Sequence, residues 1–233
     1  MEGPLIDNEL KKACLIGQHK TAKKLLKNGA NPSAQNNEAI IEACMKGSFK
    51  IVSLLLRYRP TNLENCADPS AKNNLAIRHA SRFNFIRIVR LLLKYTPPEG
   101  SKSKRVDPSA EDNYAIKQAC KYGFIGIVKL LLRDRPLVNG RSVDPSADNN
   151  FALIEACKSG HINVVKVLLK NRPPVDGKSV DPTDRNNAAL VWSSFYDRVE
   201  IMDLLLADGR AFIPDDAEFI IKSTPHLWPD KYN

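Results

Sequence analysis

The apolar positions of this chain recur in short bursts with helical spacing. Ala39, Ile40, Ala43 and Cys44 follow an i, i+1, i+4, i+5 rhythm, which places them on one face of a helix. Ile51, Val52, Leu55 and Leu56 give the same rhythm a few residues on, and Ile127, Val128, Leu131 and Leu132 give it again. Each stretch therefore predicts two short amphipathic helices. Gly47, Gly123 and Gly160 stand between them, where a left-handed residue closes the first helix. The second helix is expected to stop at Arg59-Pro60, Arg135-Pro136 or Arg172-Pro173, because proline cannot continue it. Loops rich in Pro, Gly, Ser and Lys follow, over residues 96–106 and 136–143 for instance.

The polar positions recur too, and they fix the period. Asn31-Pro32-Ser33-Ala34 returns as Asp68-Pro69-Ser70-Ala71, Asp107-Pro108-Ser109-Ala110, Asp144-Pro145-Ser146-Ala147 and, altered, Asp181-Pro182-Thr183-Asp184. The prolines lie at 32, 69, 108, 145 and 182, in steps of 37, 39, 37 and 37. A fixed period between about 20 and 50 residues marks a stacked array, in which each unit buries its apolar face against its neighbours. The expected fold is an all-α solenoid of about six helix-turn-helix repeats with projecting loops. A single domain over 1–233 is expected, with repeats at 1–30, 31–67, 68–106, 107–143, 144–180 and 181–210 and a capping half-repeat at 211–233. Asn37 and its equivalents Asn74, Asn113, Asn150 and Asn187 precede every first helix of these units. They read as turn or N-cap residues, the carboxamide oxygen bonding an amide of the helix's own first turn.

Composition narrows the chemistry. With 43% hydrophobic and 26% charged residues the 233-residue chain is an ordinary folded protein. No apolar run approaches the roughly 18 residues of a membrane helix. The opening MEGPLIDNELKK lacks a signal-peptide core, so an intracellular place, cytoplasm or nucleus, is expected. Thirty-five Lys and Arg against 26 Asp and Glu give a net charge of +9, which favours acidic partners without naming one. Cys14, Cys44, Cys120 and Cys157 share one slot of the first helix, filled by Ser81 and Ser194 elsewhere. Packed helices lie about 8–10 Å apart, whereas a disulfide needs Cα atoms within about 7 Å, so these thiols are expected buried and reduced. Cys66 stands alone in a loop and is expected to be exposed. His19, His79, His161 and His226 are scattered, the first and third at inter-helix turns where a local capping role is expected. No metal-ligand spacing, catalytic triad or phosphate loop is present, so neither a cofactor nor enzymatic activity is expected.

Gly160-His161-Ile162-Asn163-Val164-Val165-Lys166-Val167-Leu168-Leu169 resembles the second-helix signature of ankyrin repeats, Gly-His-x-x-Val-Val-x-x-Leu-Leu, almost letter for letter. Lys27-Asn28-Gly29-Ala30-Asn31 is similar to the Gly-Ala-Asp/Asn ending of that family. The resemblance covers nearly the whole chain and implies a non-enzymatic scaffold for another protein; a monomer is expected. Two departures stand out. The Thr-Pro-Leu-His start is replaced by Glu38-Ala39-Ile40-Ile41, Leu75-Ala76-Ile77-Arg78 and Tyr114-Ala115-Ile116-Lys117. Without the Thr-to-His hydrogen bonds that usually tie repeats, apolar packing is expected to carry more of the stability. The period also exceeds the usual repeat of about 33 residues.

If the repeated apolar set faces inward, the variable positions beside it face the concave side. In successive units these are Ile41, Glu42 and Met45; Arg78, His79 and Arg82; Lys117, Gln118 and Lys121; Ile154, Glu155 and Lys158; and Val191, Trp192 and Phe195, with Tyr196 next. They vary while their buried neighbours repeat, as expected of a binding face on a constant scaffold. The candidate partner-binding set is Met45, Arg78, His79, Arg82, Lys117, Lys121, Lys158, Trp192, Phe195 and Tyr196. The basic middle and aromatic end suit an acidic partner segment with apolar anchors. The rings at the end could instead be covered by Phe219, Ile220 and Trp228 of the chain itself. The alternative partner is a nucleic acid or other polyanion held by loop residues Lys102, Lys104, Arg105 and Arg141 and by the groove. The aromatic residues are not interleaved with the cations as a base-stacking platform requires.

Overall fold

A computed structural model describes residues 3–133, 143–171 and 179–212. Among these are twelve α-helices and one short 3-10 turn, with no strand. The chain divides into two compact units whose boundary falls inside α7, at Ala115 and Ile116. The first unit holds α1 (Gly3–Leu15), α2 (His19–Lys27), α3 (Ala34–Met45), α4 (Phe49–Arg57), α5 (Ala71–Arg82), α6 (Ile86–Lys94) and the start of α7 (Ala110–Lys121). The second holds the rest of α7, then α8 (Ile125–Leu131), α9 (Ala147–Lys158), α10 (Ile162–Lys170), α11 (Asp184–Phe195) and α12 (Val199–Ala207).

In the first unit α1, α3 and α5 form one layer, and α2, α4 and α6 form the other. In the second, α9 packs on α11, while α10 packs between α8 and α12. The core sits between the layers. Ile40, Leu55, Ile77 and Leu92 are fully buried in the first unit and Ile127, Leu153 and Leu168 in the second. Each such side chain contributes roughly 1.5–3 kcal/mol by leaving water. The small slots expected from the sequence, Ala43, Ala80, Ala119 and Ala156, are also fully buried. Gly47, Gly123 and Gly160 have φ between +71° and +78°, the left-handed closure that the pattern predicts.

The segment between the tetrapeptide and the first helix departs from the N-cap expectation. Three consecutive residues in each full unit are left-handed: Gln35, Asn36 and Asn37; Lys72, Asn73 and Asn74; Glu111, Asp112 and Asn113; Asp148, Asn149 and Asn150; Arg185, Asn186 and Asn187. Each run closes with the amide of its last Asn donating to the Ser or Thr carbonyl four residues back, at 2.8–3.1 Å. A left-handed residue costs L-amino acids roughly 1–2 kcal/mol, less for Asn and Asp, whose short polar side chains bond locally. That preference explains the recurring Asn or Asp pair at the last two positions.

The Oδ1 of this Asn does not cap its own helix. In Asn37 it accepts the Asp68 amide at 2.7 Å, in Asn74 the Asp107 amide at 2.6 Å, and in Asn150 the Asp181 amide at 2.7 Å. Asp7 does the same for the Asn31 amide at 2.6 Å. The accepting side chain thus grips the backbone of the following unit. The residue that donates then forms its own turn: Asp68 Oδ1 takes the Ser70 amide at 2.9 Å and its hydroxyl at 2.7 Å, and Asn31, Asp107, Asp144 and Asp181 repeat this. Apolar packing is therefore not the sole tie between units. A polar contact replaces the missing Thr-to-His bonds.

Loop residues 95–106 are held as well. The Tyr95 hydroxyl and Ser103 Oγ lie 2.9 Å apart, Ser103 Oγ donates to the Ala67 carbonyl at 3.0 Å, and the Lys104 amide donates to Asp68 Oδ1 at 3.0 Å. Cys66 lies under this arrangement with 2% exposure, which corrects the expectation of an open thiol. Burial also pushes its pKa up. Arg135-Pro136, Arg172-Pro173, the loop at 136–142, and the closing half-repeat beyond residue 212 lie outside the described residues.

Candidate functional site

The exposed side of each first helix begins at the left-handed turn, which aims the helix, and ends at the turn before the second helix. Met45 is half-buried at the end of α3. Ile41, Ile154 and Glu155 were expected on the open face but are buried, at 5, 7 and 8% exposure.

In the first unit α5 presents Arg78, His79 and Arg82. Arg78 Cζ lies 4.9 Å from the centre of the Tyr114 ring, and Arg82 Nη1 donates to the Tyr114 hydroxyl at 3.4 Å. Arg82 Cζ also lies 5.7 Å from the Phe83 ring, on which His79 stacks at 6.1 Å. Arg78 Nη1 reaches the Asn73 carbonyl at 3.4 Å, while its Nε is buried with no acceptor. The His79 pKa is held below its ordinary value by burial first, then by the charges of Arg78 and Arg82. Among the described residues no carboxylate lies within ion-pair distance of either arginine.

The remaining basic slots are neutralised inside the protein. Glu38 takes both Lys11, at 3.5 Å, and Lys72. These two lysines, through hydrogen bonding and charge, hold the Glu38 carboxyl below its ordinary pKa, with the Lys72 hydrogen bond the largest cause. In the second unit Lys117 pairs with Asp148 at 3.4 Å, and Glu155 takes Lys121 at 3.1 Å and Lys158 at 3.8 Å. Lys117 and Lys121 are therefore not the free cations that the sequence suggests. Lys158 has a second environment, its Nζ lying 5.0 Å from the Trp192 ring and 5.8 Å from that of Tyr196. Trp192, Phe195 and Tyr196 touch one another, with ring centres 5.1–5.9 Å apart. Phe195 is the most open of the three, at 69% exposure.

The residues that sequence reasoning missed are the supports. Tyr114 and Phe151 carry cations on their faces and Glu38 bridges two lysines. All three occupy the slot just before the buried Ala of the first helix, which reads Glu38, Leu75, Tyr114, Phe151 and Ala188. Its variability beside repeated neighbours was the available signal. His161, expected to cap locally, instead places Nε2 3.0 Å from the Lys121 carbonyl, bridging two units of the second body. Among the described residues no group of three or more His, Cys, Asp or Glu could hold a metal, and no helix is long and apolar enough to cross a membrane.

A search of curated proteins by sequence returns no match. The chain is similar in fold to an ankyrin repeat domain from Acinetobacter baumannii, with a TM-score of 0.61 and 21% identity over 86% of this chain and 97% of that one. The human ASB11 ankyrin repeat domain gives 0.58 and 20% over 90% and 87%, respectively. The ankyrin repeat domain of Bcl-3, a member of the IkappaB protein family, gives 0.57 and 19% over 87% and 86%. The family model described as ankyrin repeats (3 copies) matches residues 10–107, 98–178 and 116–215. With helix pairs and left-handed turns repeated along the described residues and the family model matching most of its length, this chain belongs to the ankyrin repeat family.

Proposed function

We propose that this chain is a non-enzymatic scaffold that binds an acidic, apolar-anchored segment of another protein on the exposed side of its first helices and on its loop tips. Ankyrin repeats are generally protein–protein interaction modules, which supports the coarser part of this reading. One observation carries the finer part. The buried slots of the first helices repeat, whereas the outward slots change and hold half-buried Arg78, His79 and Lys158 and exposed Arg82, Trp192, Phe195 and Tyr196. A side that varies on a constant scaffold is available for recognition, and a packed scaffold needs little ordering on binding.

The test is capture from a native lysate by the full chain and by an Arg82→Glu/Phe195→Ala variant. Both sites are exposed and Arg82 has no ion-pair partner among the described residues, so the melting temperature should hold while one or more captured proteins are lost. Lys121→Glu is a poor probe, because it would set two carboxylates together at nearly buried Glu155. Capture unchanged by the variant would sink the proposal. Binding to a random oligonucleotide that collapses steeply with salt, with no protein captured, would favour the polyanion alternative instead.

A further inference from the structure

A pattern of shared carboxylates runs through the basic side chains of the first helices. Glu38 lies between Lys11 and Lys72 in one unit, and Glu155 lies between Lys121 and Lys158 in the other. Asp148 likewise takes Lys117 at 3.4 Å and Arg185 at 3.6 Å, so in three places one acid serves two cations. Arg78 and Arg82 form a further pair, brought to the two ends of one side chain by Tyr114: the first over its ring, the second at its hydroxyl. Here no shared acid is present among the described residues. The neighbouring Glu111 is engaged by Asn73 Nδ2 at 2.7 Å. Two guanidinium groups beside one side chain repel unless an anion separates them, and a guanidinium can meet a pair of carboxylate oxygens with two parallel N–H groups. Phe83, 45% exposed, adds an apolar surface beside them.

We infer that Arg78 and Arg82 form the docking point for a glutamate or aspartate side chain of the partner, whose carboxylate takes the bridging place that Glu38 and Glu155 fill elsewhere. The inference rests on the proposed binding face and specifies where its acidic contact falls. A carboxylate rather than a phosphoryl group is chosen because in all three shared contacts of this kind the anion between two cations is a carboxylate.

The Nε–H resonances of the two arginines provide the test. The full-length ¹⁵N-labelled chain is titrated with acetyl-hexaglutamate amide, with acetyl-hexaglutamine amide, and with inorganic phosphate. The glutamate peptide should shift the Arg78 and Arg82 Nε–H signals saturably, and the glutamine peptide should not. Arg78→Gln and Arg82→Gln should each weaken that binding roughly tenfold or more, with the remaining backbone spectrum retained as proof of folding. Equal shifts from both peptides, or stronger binding of phosphate than of the glutamate peptide, would overturn the inference. So would arginine signals that stay fixed while the glutamate peptide moves resonances elsewhere. In that last case lysate capture could still depend on the first-helix face, so the two proposals fail separately.

Discussion

Replacing Asn37 by Ala tests the tie between units, because the side chain has two separable jobs. Its Oδ1 accepts the Asp68 amide at 2.7 Å, and its backbone sits at φ 65°. Losing the acceptor leaves a partly buried N–H unsatisfied, at about 1–3 kcal/mol. A left-handed alanine adds up to about 1 kcal/mol over asparagine. Asn37→Ala should therefore destabilise the protein by about 1–4 kcal/mol. A second variant isolates the chemistry. Where the acceptor is a carboxylate, Asp7, the donor residue is neutral Asn31; where the acceptor is Asn37, Asn74 or Asn150, the donor residue is Asp68, Asp107 or Asp181. The two charges are never on both sides of the contact. Asn37→Asp alone places two carboxylates together and should destabilise, whereas Asn37→Asp with Asp68→Asn recreates the Asp7–Asn31 arrangement. The double variant should return to within about 1 kcal/mol of the parent. Urea denaturation gives the stabilities, and hydrogen exchange of the residue-68 amide reports the contact locally, since repeat arrays can depart from two-state unfolding. A double variant as unstable as Asn37→Ala, or an alanine variant losing less than about 0.5 kcal/mol, would refute the reasoning.

Other outcomes follow from the same structure. Leu92→Ala, at a fully buried site of α6, should cost about 2–5 kcal/mol by leaving a cavity, read as a lower urea midpoint. Gly123→Ala should cost more than Gly29→Ala: both have positive φ, but a Cβ at 123 would meet His161 Nδ1 at 2.6 Å, whereas at 29 it meets nothing within 4 Å. Thermal melts of the two variants compare them directly. All five cysteines are buried, and burial pushes Cys14 and Cys157 up to about 12, so the native protein should resist thiol reagents at pH 8 and react fully once unfolded. The folded thiols ionise later than the unfolded value of 9.0, so this stabilisation is intact below pH 9 and is lost as pH rises from 9 towards 12; Cys14→Ala should soften that fall in the urea midpoint. The His79 pKa is lowered by burial and by Arg78 and Arg82, so binding of the glutamate peptide should raise its NMR titration midpoint.

The helices and their inward faces were legible because burial imposes helical periodicity, and Ile40, Ile51, Leu55 and Ile127 are all buried as that periodicity requires. The turn was half legible. The recurring Asn showed that something special happens at 37, 74 and 150, but a local pattern cannot reveal a bond to a residue over thirty positions away. Cys66 misled for the same reason: the later loop at residues 95–106, anchored through Tyr95 and Ser103 to the Ala67 carbonyl, packs close by. The charges of the candidate face were readable one by one, yet their pairing was not. Lys117 and Lys121 look like Arg78 and Arg82 in the sequence, and only the positions of Asp148 and Glu155 separate them.

The most direct test of the whole account is an amide hydrogen-exchange footprint of the chain with a captured partner bound. Added protection should fall on the first helices, over residues 75–82 and 188–196, and spare the second helices at 49–57 and 162–170. Protection centred on those second helices, with the first helices unchanged, would contradict it.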